Sequence, residues 1–258
     1  MPRIPSHRAS IYYEVHGQGP ATVVFVHGAE GNTLSWFQQV PFFAKRFRVI
    51  TFDLRGWGRS DCHPEALHVS HFADDLRAVL DAEGIRRAAL VGHSLGGWTC
   101  LRTAIEYPER VACVVLSATA GGLITPSLLH AMAASAVRVA RGEELWKQLL
   151  SPAFSQRDPG LAFLFDQIYQ LNPPTDPGRV SEVTEAQVHP EELTGYPVPT
   201  LVLIPGYDVW NNRDQLREAV AAIPGGKTVD VPDIGVASYF EAPDVFNKLV
   251  ADFIAQHP

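Results

Sequence analysis

Gly92-His93-Ser94-Leu95-Gly96 is the stretch of this chain whose residue types and spacing most plainly carry chemistry. It is a G-x-S-x-G element that directly follows the apolar run Ala88 to Val91 and precedes a helical pattern containing Trp98, Leu101 and Ile105. In a strand-turn-helix setting the serine sits in a strained turn that pushes its hydroxyl outward. The flanking positions need glycine because strand and helix crowd together there. The helix N-terminus adds positive potential and free amides, notably that of Leu95. The chemistry this suits is attack on a carbonyl carbon, or hydrogen bonding to a carbonyl oxygen, with Ser94 at the centre.

The elements that must position Ser94 follow from the hydrophobic pattern. Short β-branched runs, Thr22 to Val26, Arg48 to Phe52, Ala88 to Val91, Val111 to Leu116, Thr200 to Ile204 and Thr228 to Val231, alternate with helical patterns. Strands separated by helices imply an α/β fold with a mostly parallel central sheet and helices on both faces. One helix is expected to start at a Ser70 cap and to place Phe72, Leu76, Val79 and Leu80 on one face. The last helix begins with Pro243 in its first turn and turns Phe246, Leu249, Val250, Phe253 and Ile254 inward. From Gly121 to Tyr196 the strand rhythm stops, and a helical insert follows that is rich in Leu and Phe and contains Trp146 and Tyr169, with a breaker at Asn172-Pro173-Pro174. An insertion between two sheet strands reads as a lid over their carboxyl ends. The expected organisation is a core of residues 1–120 and 197–258 with a helical lid over 121–196.

Composition bounds the function classes. At 258 residues, 46% hydrophobic and 19% charged, the chain has the make-up of one soluble globular domain. A net charge of −7 with only short basic pairs argues against a nucleic-acid surface, which needs clustered Lys and Arg, so no nucleic acid is expected as a partner. The partner expected is a small molecule. Cys62, Cys100 and Cys113 lack metal-ligand spacing and read as buried thiols, and neither a metal nor a cofactor is called for. The N-terminal MPRIPSHRAS has no apolar core and the apolar stretch Val111 to Ile124 is broken by polar residues and glycines, so a cytoplasmic protein without a membrane partner is expected. Oligomeric state is left open.

Further motifs give the chain a resemblance. His27-Gly28 follows the first core strand, Asp53-Leu54-Arg55-Gly56-Trp57-Gly58-Arg59-Ser60 follows the next, and Pro199 to Gly206 precedes the place of an acid. With the Ser94 elbow, these make the sequence similar to the α/β-hydrolase superfamily over nearly its whole length. The resemblance implies an oxyanion hole formed by the backbone amides of Ala29 and Leu95, which would stabilise negative charge on a carbonyl oxygen. It implies that His27 and His93 brace loops. It places the acid at Val209, three residues after Gly206, with Asp208 one residue early and either catalytic or a loop-capping carboxylate. It places the base at Val236, where Gly235-Val236-Ala237-Ser238 stands in place of Gly-His and a small residue, while Tyr239 to Pro243 keeps the family context.

Valine cannot accept a proton, and a serine hydroxyl is a poor nucleophile without a base. Losing the base in a serine protease costs about a millionfold in turnover and leaves roughly a thousandfold over water. His130 or His189 from the insert could substitute. Glu30, beside the oxyanion loop, opposes an oxyanion if it points inward, or acts as acid or base if desolvated; otherwise it is a solvated carboxylate at a loop tip. Glu30, His93, Trp210, Val236, Met132 and Trp146 are the expected substrate contacts. Leu128, Leu129, Phe163 and Phe165 make the insert apolar, which suits a small, fairly hydrophobic carbonyl compound. Three functions stay open: non-hydrolytic carbonyl chemistry (cyclisation, elimination, decarboxylation or isomerisation), a residual serine hydrolase of esters, thioesters or lactones with a base from elsewhere, and a ligand-binding pseudoenzyme.

Overall fold

The runs rich in Val, Ile and Leu become strands because branched side chains pack well on a pleated surface, and those buried on both faces need no polar alternation. A computed structural model of the chain describes residues 2–143, 148–172, 186–210 and 213–258. The sheet is entered by an antiparallel pair, β1 (Arg3–Ser6) and β2 (Ala9–His16), which the pattern of apolar runs did not anticipate. It continues through β3 (Thr22–Val26), β4 (Arg48–Phe52), the two-residue β5 (Asp61–Cys62), β6 (Ala88–His93), β7 (Val111–Ser117), β8 (Thr200–Pro205) and β9 (Lys227–Val231). Among the described residues the strand order is β1-β2-β4-β3-β6-β7-β8-β9, with β5 paired to β2. β4 and β3, and every later neighbour along that path, run parallel.

Parallel strands require crossovers, and helices supply them on both faces. On one face α2 (Phe72–Ala82) and α3 (Leu95–Glu106) bury Leu76, Val79, Leu80 and Leu101 against Val24, Leu90 and Leu116. On the other, Phe43 of the short α1 (Gln39–Phe43) packs with Phe25, Trp36 and Val115, together with side chains from the end of the chain. The inward face expected for α2 is the one observed. Its start differs, because Ser70 lies in a 3-10 turn, Val69–His71, and its hydroxyl bonds His68 Nδ1 at 2.7 Å, leaving His71 as the N-cap without a side-chain bond.

Between β7 and β8 the chain forms α4 (Pro126–Ala140), α5 (Pro152–Arg157) and α6 (Pro159–Gln170). Ser151 caps α5 by accepting from Phe154 N, and Asp158 caps α6 by accepting from Leu161 N, each ahead of a proline in the first turn. Phe154, Phe165, Ile168 and Tyr169 are buried with Tyr239 and Phe240 from the C-terminal segment. Leu128 is buried and Met132 half-buried, whereas Leu129 and Phe163 face solvent. Trp146 lies outside the described residues. After β8 come α7 (Arg213–Val220), the single turn α8 (Ser238–Glu241) and α9 (Pro243–Ala255), whose Phe246, Val250, Phe253 and Ile254 are buried as the spacing predicted. Among the described residues no helix is long and apolar enough to cross a membrane.

Candidate active site

Backbone crowding makes the turn at Ser94. A Cβ added to Gly96 would lie 2.2 Å from the Val26 carbonyl oxygen, and one added to Gly92 would lie 2.4 Å from the Gly96 carbonyl oxygen. With β3, β6 and α3 in such contact, the chain reverses in one residue, and Ser94 takes φ 48°, ψ −119°. Such a backbone costs a non-glycine residue about 1–3 kcal/mol and persists only where its surroundings over-determine it. Here Ser94 N donates to the Ser117 carbonyl at the end of β7, 3.0 Å, and the Ser94 carbonyl accepts from Gly97 N at 2.9 Å. Ser94 is half-buried, and Leu95 is the first residue of α3, where amides have no intrahelical partner.

The loop after β3 meets this turn. A Cβ on Gly28 would stand 3.0 Å from Ser94 Cβ, so glycine permits the approach. Gly28 to Gly31 form a tight turn closed by Gly31 N donating to Gly28 O at 3.1 Å, with Glu30 in the left-handed region at φ 60°. Ala29 is exposed and Glu30 half-buried. His27 braces the loop: its Nε2 accepts from Leu54 N at 2.9 Å, so the proton is assigned to Nδ1, which donates to Gly28 O at 2.7 Å. Burial lowers the pKa of His27, against the opposing charge of Asp53. Asp53 itself is buried and accepts from Thr33 N at 2.6 Å and Arg59 N at 2.8 Å, tying the loops after β3 and β4 together.

His93 faces away from solvent at 1% exposure, with its ring edge-on to Tyr239 at 4.9 Å and its Cδ2 against Gly28. Burial pushes its pKa down to about 3; a bond with the Ser117 backbone opposes this, and His27 reinforces it. The imidazole is neutral at ordinary pH and too weakly basic to take a proton from serine.

The segments after β8 and β9 lie side by side. Gly206 N donates to Val231 O at 2.9 Å and Tyr207 N to Ile234 O at 3.0 Å. This brings half-buried Asp208 to the stretch leading into Val236. Asp208 Oδ1 accepts from Trp210 N at 2.8 Å, the geometry of a loop-capping carboxylate. Trp210 is half-buried and packs on the same apolar cluster that holds Val236, which is 3% exposed among Leu149, Phe154, Tyr239 and Phe240. The register of this segment is pinned. Gly235 N donates to Glu241 Oε2 at 3.0 Å, Ala237 N to Leu149 O at 3.0 Å, and Ser151 donates to both Glu241 oxygens through its amide and hydroxyl.

Among the described residues no contact joins either insert histidine to the Ser94 turn. His130 is exposed on α4, and the exposed His189 ring bonds Gln187, beside the ion pair that Glu192 of the Pro190–Leu193 turn makes with Arg102 on α3. His257 stacks edge-on against Phe253 at 4.7 Å at the end of the chain. Among the described residues no group of three or more His, Cys, Asp or Glu could hold a metal ion. Sequence reading missed Glu241, Ser151 and Asn172 as residues that fasten the site's loops, since their roles depend on partners more than eighty positions away.

Residues 21–243 match the family model described as the alpha/beta hydrolase fold. The chain belongs to this family. Among curated relatives, a 2-hydroxy-6-oxononadienedioate/2-hydroxy-6-oxononatrienedioate hydrolase of Paraburkholderia phymatum is 36% identical over 139 residues, 51% of this chain and 47% of that one. The chain thus spans about half the length of that relative in the match. Among solved structures, Est816, described as an N-acyl homoserine lactone degrading enzyme, superposes on this α/β-hydrolase with a TM-score of 0.82 at 27% identity, covering 98% of this chain and 100% of that one. The enol-lactonase from Burkholderia xenovorans LB400 superposes with a TM-score of 0.78 at 26% identity, again over 98% and 100%.

Proposed function

We propose that this α/β-hydrolase is an enzyme for a small, fairly hydrophobic carbonyl compound, and that it favours cyclisation, elimination, decarboxylation or isomerisation over hydrolysis. The observation that carries the reading is Val236. It occupies the place where the family resemblance puts the base, in a register fixed by Gly235, Ala237 and Glu241, and it is packed in an apolar cluster. The strained Ser94 turn and the loop of Ala29 are nonetheless kept. An oxyanion site without a base suits reactions in which an enolate or alkoxide develops, because fixed donors stabilise that charge with no acyl-enzyme. Ser94 then donates a hydrogen bond to the substrate oxygen instead of attacking carbon. The helical insert acts as a lid whose Met132, with Trp210 and Val236 of the core, forms an apolar wall around the substrate. Incubation with 4-nitrophenyl acetate and intact-mass analysis tests this. The expected result is no acetyl group on Ser94; a Ser94 adduct that forms and clears during turnover at neutral pH overturns it.

A second reading is favoured by the relatives' names, which describe hydrolases and lactone-cleaving enzymes. It is a serine hydrolase whose base lies at an unassigned position. In that case the native protein turns over an activated lactone rapidly and Ser94→Ala abolishes it, whereas the first reading predicts a feeble native rate on that substrate.

A further inference from the structure

Asn172 lies at the end of α6, in the insert, yet its carboxamide is inserted between two loops of the core. Its Oδ1 accepts from Gly58 N at 2.8 Å, and its Nδ2 donates to the carbonyl oxygens of Glu30 and, at 3.1 Å, of Tyr169. The partners fix the orientation of the amide. Turned over, it would set NH2 against an N–H and its oxygen against two carbonyls. A second amide runs the other way: Asn32 Nδ2 donates to the Ile168 carbonyl at 2.9 Å, while Asn32 Oδ1 accepts from Leu34 N at 3.0 Å.

The bond to Glu30 falls on the one left-handed, non-glycine residue of the Gly28–Gly31 turn. The other side of that turn is held by His27 and Gly31, which both donate to Gly28 O. The Ala29 amide therefore stands between a carbonyl fixed from the core and a carbonyl fixed from the insert. We infer that Asn172 is a positioning residue for the chemistry at Ser94: it holds the turn in the conformation that presents the Ala29 amide to a developing oxyanion. The insert then completes the oxyanion site as well as covering it. This rests on the proposed use of Ala29 and Leu95 as oxyanion donors.

Binding of 4-nitrophenolate, an oxyanion carried on a small aromatic body, measured beside neutral 4-nitroanisole, tests both layers. The native protein is expected to prefer the phenolate. Asn172→Ala is expected to weaken phenolate binding about tenfold, because a displaced donor still offers part of its hydrogen bond, and to leave 4-nitroanisole binding unchanged. Asn172→Leu keeps much of the side-chain volume and removes both bonds without adding charge, so it is expected to show the same selective loss if the alanine variant folds poorly. Equal losses for both probes, or no loss for either, overturn the role of Asn172 and leave the oxyanion reading standing. A native protein with no preference for the phenolate overturns both.

Discussion

His93 stands next to Ser94 in the chain and does not serve it as a base. A conjugate acid pushed down to about 3 by burial keeps the ring neutral through the physiological range. The same shift makes a stability prediction. Because the folded pKa is below the ordinary value of about 6.5, the unfolded chain binds more protons between those limits, and stability falls as pH drops below about 6.5. Each unit in that window costs roughly 1.4 kcal/mol from this one group. His27 and His71, both lowered chiefly by burial, act in the same direction. Glu14 and Asp74, carboxylates held low, lose their contribution only below their ordinary range near 4. Urea unfolding at pH 7.0 and pH 5.5 is expected to show the loss in the native protein and a smaller loss in His93→Asn. Equal slopes for the two proteins would show that His93 does not carry it.

At the scale of elements, the strand-turn-helix at Ser94 depends on glycines that touch backbone rather than flexible side chains. Gly96→Ala would force a methyl group to within 2.2 Å of the Val26 carbonyl oxygen, so a loss above about 3 kcal/mol is expected on thermal unfolding. Gly84→Ala is the comparison: its Cβ meets nothing within 4 Å, and only its φ of 64° opposes the change, at about 1 kcal/mol. Similar losses at the two positions would show that the close approach at Gly96 is unimportant.

This turn was legible in sequence because its requirements are local: an apolar strand, a serine and small neighbours. The bounds of β3 and β4 were likewise readable from continuous β-branched runs, and β6, β7, β8 and β9 extend their runs by one or two residues. β1 and β2 were not legible, since β1 carries Arg3 and Pro5, and β2 carries Glu14 and His16, whose tolerance depends on lying at the sheet's edge. Ser70 looked like a cap and is engaged by His68 instead. Asn172 looked like a helix breaker, and its partners Glu30 and Gly58 are set only by the tertiary fold.

At the scale of the molecule, long-range polar bonds join what the sheet alone leaves separate. Arg55 and Asp75 are fully buried; Arg55 Nε and Nη2 donate to the two Asp75 oxygens at 2.7 and 2.5 Å, and Nη1 donates to the Ala66 carbonyl at 2.6 Å. The pair ties the loop after β4 to α2. Removing one partner strands a buried charge, so Asp75→Ala is expected to cost about 3–5 kcal/mol by denaturant unfolding. A loss under about 1 kcal/mol would contradict the burial. In the same way Glu241 with Ser151 holds the insert to the Val236 segment, and Asn172 holds it to the Ala29 turn. In the proposed site the strained Ser94 turn and the Ala29 turn are thus tied to the rest of the molecule, while valine stands where the family resemblance places the base. Turnover of 4-nitrophenyl acetate by the native protein and by Val236→His, each with and without Ser94→Ala, tests that claim most directly. The native rate is expected to be feeble, with a large gain in Val236→His that Ser94→Ala removes. A native rate already high and abolished by Ser94→Ala would contradict it, because a base would then be present at another position.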